Sequence, residues 1–242
     1  MDERTWWSKV VLIGGCIAAL LLPIGALGSR FGMWPFTTGF LFVIAGVLIA
    51  AVCLVLGIVG LIVAGKRKRG ADRPGLVVGT GVSVLILGLM FVQFLAAGSV
   101  PQIHNISTDT IDPPQFDEIA ALREGTGANP LEYNDAVRRL QEPAYPDVQP
   151  LQLAQTPSES FDRALATVQD MGWELVSANR DAGMIEATDT TFWFGFKDDV
   201  AIRVRPDDGG SVIDVRSVSR VGRSDLGTNA RRILQFLERV ES

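Results

Sequence analysis

A chain of 242 residues that is 48% hydrophobic and 20% charged, with a formal charge of −5, lacks the strongly basic surface on which nucleic-acid recognition draws. The charge is unevenly shared: residues 1–98 hold eight basic and three acidic side chains and residues 99–242 hold 14 and 24, so the second part is near −10. Both cysteines, Cys16 and Cys53, fall in the first part, which excludes a disulfide scaffold, a thiolate nucleophile and a thiolate metal site from the second.

Three long apolar segments, 10–27, 39–65 and 76–97, fill the first part. At a rise of about 1.5 Å per residue each is about long enough to cross a hydrocarbon core of about 30 Å as a helix. The first follows Arg4 and Lys9, ends near Pro23 and Gly28, and lacks the short apolar core and small-residue cleavage site of a removable signal peptide. It is therefore expected to stay as a helix. The second is longer than a span needs and is expected to tilt or extend into the interface. It ends in Lys66-Arg67-Lys68-Arg69, with Arg73 following, and short basic loops stay on the cytoplasmic side. That rule puts the N-terminus inside, the loop from Arg30 to Pro35 outside, and everything after Ala97 outside. The expectation is a multi-pass protein of the cell inner (cytoplasmic) membrane with an extracytoplasmic C-terminal domain. Trp6 and Trp7 before the first span, and Trp34 in the outer loop, suit bilayer interfaces. Gly46, Ala50, Gly75, Gly79 and Gly81 fit either close helix packing or the general glycine enrichment of membrane helices. No ionisable residue lies in these stretches, which argues against a transporter or proton channel built from three such helices alone.

Residues 99–146 read as an extended polar, proline-rich connection. The run Ile103 to Thr110 is polar, Asp112-Pro113-Pro114 stops any regular helix, and Gly125 and Gly127 interrupt a short helix within 115–124. Tyr133 to Gln141 has a weak helical pattern, and Pro143, Pro146 and Pro150 stiffen the approach to a compact part over 147–242. There the patterning predicts a strand from Val148 to Leu153 and a helix over 158–171 with Phe161, Leu165 and Val168 on one face. Strands follow at Trp173 to Asn179 and Met184 to Thr190. A hairpin joins Asp198–Arg205 to Ser211–Arg220 through Asp207-Asp208-Gly209-Gly210. A last helix begins at Asp225 or Leu226 and runs to about Val240, with Ala230, Ile233, Leu234 and Leu237 as its apolar stripe. The fold class is α+β: three N-terminal transmembrane helices, then a small antiparallel sheet with two covering helices.

The strings IHNISTDTIDPP (103–114), FKDDVAIR (196–203) and DVRSVSRVGRSDLGTNARRI (214–233) resemble the DUF1499 family over most of 100–240. The resemblance implies a bacterial protein attached to the cell envelope. It brings no established activity and no catalytic residues, so each site residue is read from its own chemistry.

His104 is the only histidine and has Asn105, Ser107, Thr108, Asp109 and Asp112 close in sequence. A lone imidazole cannot make a standard multi-histidine zinc site; it can act as a general base or join carboxylates around one ion, or simply hydrogen-bond an irregular segment. Phe192-Trp193-Phe194-Gly195-Phe196, followed by Lys197, has three competing readings: core packing, contact with the outer leaflet, or the wall of an apolar pocket. Only the last two leave Trp193 accessible. Arg203, Arg205, Arg216 and Arg220 either form cross-strand pairs with Asp198, Asp199 or Asp214 or gather as a clamp for a carboxylate or phosphate. Ser217, Ser219, Gly222, Ser224, Asp225, Gly227 and Asn229 make a polar entry to the last helix, where Asp225 or Ser224 is a natural N-cap. Ser158, Ser217 and Ser219 lack a nucleophile elbow.

The candidate ligand-binding residues are thus His104, Asn105, Thr108, Trp193, Lys197, Arg203, Arg216, Arg220, Asp225 and Asn229; the catalytic candidates are His104, Asp109 and Asp112. No metal set and no cofactor can be named from the sequence. The expected role is a membrane protein displaying a binding or interaction module for an envelope lipid or protein. Two alternatives stand beside it: a hydrolase or metal-assisted enzyme using His104 with Asp109 or Asp112 and an arginine clamp, and an accessory subunit of a membrane complex.

Overall fold

The computed structural model describes residues 5–242; Arg4, one of the basic flanks of the first apolar segment, lies outside them. Two compact units form: a helical one that ends at Gly98 and includes Phe192–Gly195, and a second made of Ser99–Thr191 and Phe196–Ser242.

The helical unit holds α1 (Trp6–Arg30), α2 (Phe36–Lys66) and, after a 3-10 turn at Gly70–Asp72, α3 (Arg73–Gly98). Among the described residues these are three helices long and apolar enough to cross a membrane. Trp6 and Trp7 sit in the first turn of α1, not before it, and α1 continues through Pro23. In apolar surroundings a freed backbone group finds no partner outside the helix, so one missing N–H does not end it. The buried positions of α2 are Gly39, Gly46, Ala50, Cys53, Gly57, Gly60 and Ala64, a stripe at three- and four-residue spacing that lets backbones approach. A Cβ on Gly79 would run into the Val11 carbonyl, and one on Gly46 would strike Leu22 and the Ala18 carbonyl. Close packing therefore accounts for Gly46, Ala50, Gly75 and Gly79, whereas a Cβ on Gly81 would meet nothing within 4 Å. At the other end of α1, the Thr5 N–H donates to Asp72 Oδ1 (2.7 Å) and Ser8 Oγ to the Asp72 carbonyl (3.0 Å).

The second unit contains β1 (Asn105–Ser107), α4 (Glu118–Arg123), α5 (Asp135–Ala144), β2 (Leu151–Leu153), α6 (Pro157–Asp170), β3 (Glu174–Asn179), β4 (Met184–Thr190), β5 (Lys197–Asp207), β6 (Gly210–Ser219) and α7 (Thr228–Glu241). The sheet is antiparallel with order β1-β6-β5-β4-β3, and β2 also pairs with β6. Asp207 pairs with Gly210 across the hairpin, and Gly209 takes the positive φ that tight turns require. Thr156 and Glu159 form a capping box at the start of α6, with Pro157 in its first turn. The first predicted strand shortens to Leu151–Leu153 because Pro150, having no N–H, stands before it.

Residues 99–146 depart most from expectation. They supply a strand and two helices to the second unit. Ser219 N donates to the His104 carbonyl and Thr108 N to the Val215 carbonyl, both at 2.9 Å, extending the β1–β6 ladder beyond its three paired residues. A polar strand this short carries no alternation that a sequence pattern can register.

The two sheet faces differ sharply. One presents Ile185, Ala187, Val200, Ile202, Val204, Ile213 and Val215 to Phe161, Ala164 and Val168 of α6 and to Ala230, Ile233, Phe236 and Val240 of α7. Each Val, Ile or Phe among them contributes about 1.5–3 kcal/mol on burial, and each Ala less. Trp173 stacks on Phe236 with ring centroids 5.5 Å apart. Leu234, expected in the α7 stripe, faces outward, and Phe236 takes the buried place. The opposite face carries Glu186, Thr188, Asp199, Arg203, Asp214 and Arg216, all but Arg203 fully buried.

Candidate functional site

The candidate residues divide between three places. The first is the start of α7. Asn229, wholly buried, accepts from Ser217 Oγ (2.7 Å) and donates to the His104 carbonyl (3.1 Å) and Ser219 Oγ (2.9 Å). Arg232, one turn along, reaches Asp198 (2.6 Å), Asp189 (2.8 Å) and Ser217 (3.2 Å). Asp225 accepts from the Gly227 and Asn229 N–H groups (3.0 and 2.8 Å), so it caps α7 from upstream of Gly227, the residue at the N-cap position. Burial pushes the Asp225 carboxyl above its usual range, against the pull of those bonds. His104 contributes its carbonyl here; its half-buried ring is lowered below 6.5 by burial, with backbone hydrogen bonds at Arg223 and Pro130 and the charge of Asp225 opposing and the charge of Arg123 reinforcing. These partners close on one another.

The second place is the polar sheet face. Asp199 accepts from Arg123 Nη1 (3.0 Å), Arg220 Nε and Nη2 (2.9 and 2.8 Å) and Thr188 Oγ1 (2.8 Å). Arg203 is held by Asp112 (2.8 Å), Asp214 (3.1 Å) and Asp109 (3.2 Å), and Arg205 by Asp214 (2.8 Å) and Asp109 (3.3 Å). Arg216 is the largest fully buried side chain among the described residues and its bonds go to neutral acceptors: Asn105 Oδ1 (3.1 Å), the Pro114 carbonyl (2.9 Å) and the Leu131 carbonyl. The rings of Phe116 and Tyr133 lie 5.2 and 5.9 Å from its guanidinium carbon. Burial lowers its pKa to about 10, still far above neutrality. The four arginines are thus anchors of the fold, in the cross-strand arrangement for three and a carbonyl cage for Arg216. No clamp aimed at solvent results.

His104 and the two aspartates are not brought together. They lie five to eight residues apart along a segment that begins as an extended strand, so His104 and Asp109 are separated by roughly 16 Å at about 3.3 Å per residue. His104 sits beside Ser219 at the end of β6, whereas Asp109 shares Arg203 and Arg205 with Asp214 at the middle of that strand. Among the described residues no three His, Cys, Asp or Glu side chains are placed to hold a metal; Asp109, Asp112 and Asp214 surround a guanidinium instead. Thr108 is buried, accepting from Val215 N (2.9 Å), and Lys197 pairs at the surface with Glu174 (3.2 Å).

Four buried polar residues escaped the sequence reading. Arg123 and Arg232 neutralise Asp199 and Asp198. Gln141 accepts from Ser107 N (3.0 Å) and donates to its carbonyl. Glu186 caps α4 through Asp117 N and Ile119 N, both at 2.8 Å. The one available signal was Glu186 itself, a charge set between Ile185 and Ala187. Beside Glu186 lies a groove of about 450 Å³ bounded by Gln115–Glu118, by Ser177 and Asn179 of β3, and by Met184 and Arg203.

The third place is the aromatic run, of which Phe192–Gly195 belong to the helical unit and Phe196 to the second. Trp193 is 54% and Phe192 65% exposed, so core packing does not describe these two rings. Phe194 packs on Phe40 with centroids 4.8 Å apart. The family model described as "Protein of unknown function (DUF1499)" matches residues 105–240, from β1 to the end of α7. No curated protein matches the chain.

Proposed function

This chain belongs to the DUF1499 family, and we propose that it acts as a membrane-anchored display module whose second unit binds an envelope lipid or protein. The observation that supports this most is the internal satisfaction of the candidate side chains. His104, Arg203, Arg216, Arg220, Asp225 and Asn229 each bond within the fold, so that these six candidates are engaged with the protein's own groups. The sheet ends on one side in β3, and the groove lies beside that strand. A strand edge next to a groove suits an extended partner. The enzyme alternative has less support, since Arg203 and Arg220 pair with carboxylates of the fold and Asp109 and Asp112 are paired with Arg203. In this reading the basic run at 66–69 lies in the cytoplasm and the second unit outside the inner membrane, where a domain near −10 engages no nucleic acid.

Two experiments test the reading. Native mass spectrometry of the detergent-extracted full chain should retain a bound species that Met184→Trp, filling the groove, displaces. A species retained equally by both proteins, or none in either, would remove the groove from consideration. For topology, a membrane-impermeant maleimide applied to intact cells should label Asp208→Cys and spare Lys68→Cys; the reverse pattern overturns the orientation.

A further inference from the structure

The connection between β4 and β5 carries an inference about lipid. Residues 192–195 cluster with the helices, and within that unit the turn is tied to the end of α1. Arg30 Nη1 donates to the Phe192 carbonyl (2.7 Å), Ser29 Oγ approaches the Phe194 carbonyl (3.4 Å), and the Arg30 guanidinium lies 5.3 Å from the centre of the Phe192 ring. Gly195 has φ +69, and a Cβ there would come within 3.0 Å of Arg30 Cα, so close approach needs glycine. Two of the loop's carbonyls, those of Phe192 and Phe194, thus have partners, as a low-dielectric setting favours. Its two outward side chains, Phe192 and Trp193, meet edge to face at 5.2 Å and are as exposed as Leu41 and Val52 on the outer faces of the apolar helices. No acidic residue occurs between Thr191 and Phe196, and the neighbouring charge is the cation of Arg30.

We infer that Phe192 and Trp193 form a lipid-contacting anchor at the boundary between headgroups and acyl chains, in the leaflet that holds the α1–α2 connection. This rests on the reading of α1–α3 as membrane spans. The commitment to lipid follows from continuity with the apolar helix surface, from the bonded Phe192 and Phe194 carbonyls, and from a tryptophan N–H and an arginine suited to phosphate.

The test uses the full chain in phosphatidylcholine vesicles carrying bromine near the headgroup or near the chain end. Emission of Trp193 is the wild type minus Trp193→Phe, and Trp173, stacked inside the second unit, reports that the fold is kept. The inference expects the difference emission to lose its greater part with shallow bromine, little with deep bromine, and little with aqueous iodide. Quenching of Trp193 by iodide and by neither bromolipid would overturn it, and would point to a protein partner. If the tryptophans remaining in Trp193→Phe are also untouched by bromolipid and the protein fails to float with the vesicles, the membrane reading itself falls, and the anchor with it.

Discussion

Replacing Asp199 with asparagine keeps the shape of the side chain and removes the charge around which Arg123 and Arg220 are built. Asp199 is wholly buried and the Arg123 side chain is 5% exposed, with the two 3.0 Å apart. Burial already works against the Arg123 cation, and Asp199 is the chief influence supporting it. Breaking such a pair from one side strands a desolvated charge and costs about 3–5 kcal/mol. Arg220 is 24% exposed and can turn to water, so its share is discounted to about 1 kcal/mol or less. The expected loss is therefore about 3–5 kcal/mol, dominated by Arg123. Urea unfolding of the detergent-solubilised full chain, followed by the emission of buried Trp173 against a Trp173→Phe background, measures it. Adding Arg123→Met to Asp199→Asn should restore much of the loss, because it removes the stranded cation. A loss below about 1 kcal/mol for the single variant, or strict additivity of the two substitutions, would refute the picture of a water-excluded pair.

His104 yields a pH signature. Its folded pKa is held below 6.5 mainly by burial, so its contribution is complete above the ordinary value and is lost as acidification proceeds toward the folded one. As the single histidine, His104→Gln should flatten the stability profile just below neutrality. Buried Asp225, with its raised pKa, acts with the opposite sign, and the wild-type minus His104→Gln difference isolates the imidazole. Gly79→Leu should separate α1 from α3, seen as lost crosslinking between cysteines placed across that pair, whereas Gly81→Leu should be tolerated, since a Cβ there meets nothing. Gln141→Leu removes both bonds to the Ser107 backbone and one from Tyr133; a cost of about 2–3 kcal/mol and faster hydrogen exchange at the Ser107 amide are expected. An unchanged exchange rate would show that β1 holds its place without Gln141.

Hydrophobic length, period-two and helical periodicity, and turn residues are local quantities, and they carried the three apolar helices, strands β3 to β6, the Asp208-Gly209 turn and both covering helices into view from the sequence alone. Composition likewise settled that the second unit is acidic and free of cysteine. The third dimension decided where the polar residues go. The Arg203–Asp214 pair lies across one hairpin, but nothing local shows that Asp112 will join it or that Arg216 will be buried among carbonyls and rings, because those partners come from segments about a hundred residues away. For the same reason residues 103–110 looked like a linker: their strand exists only beside β6. The aromatic run was legible as unusual, but its assignment to the helical unit depended on Arg30 and Phe40, more than 150 residues earlier. Spacing along the chain records what one element needs; it does not record which distant groups will satisfy a buried charge, and that is settled only when the chain is folded.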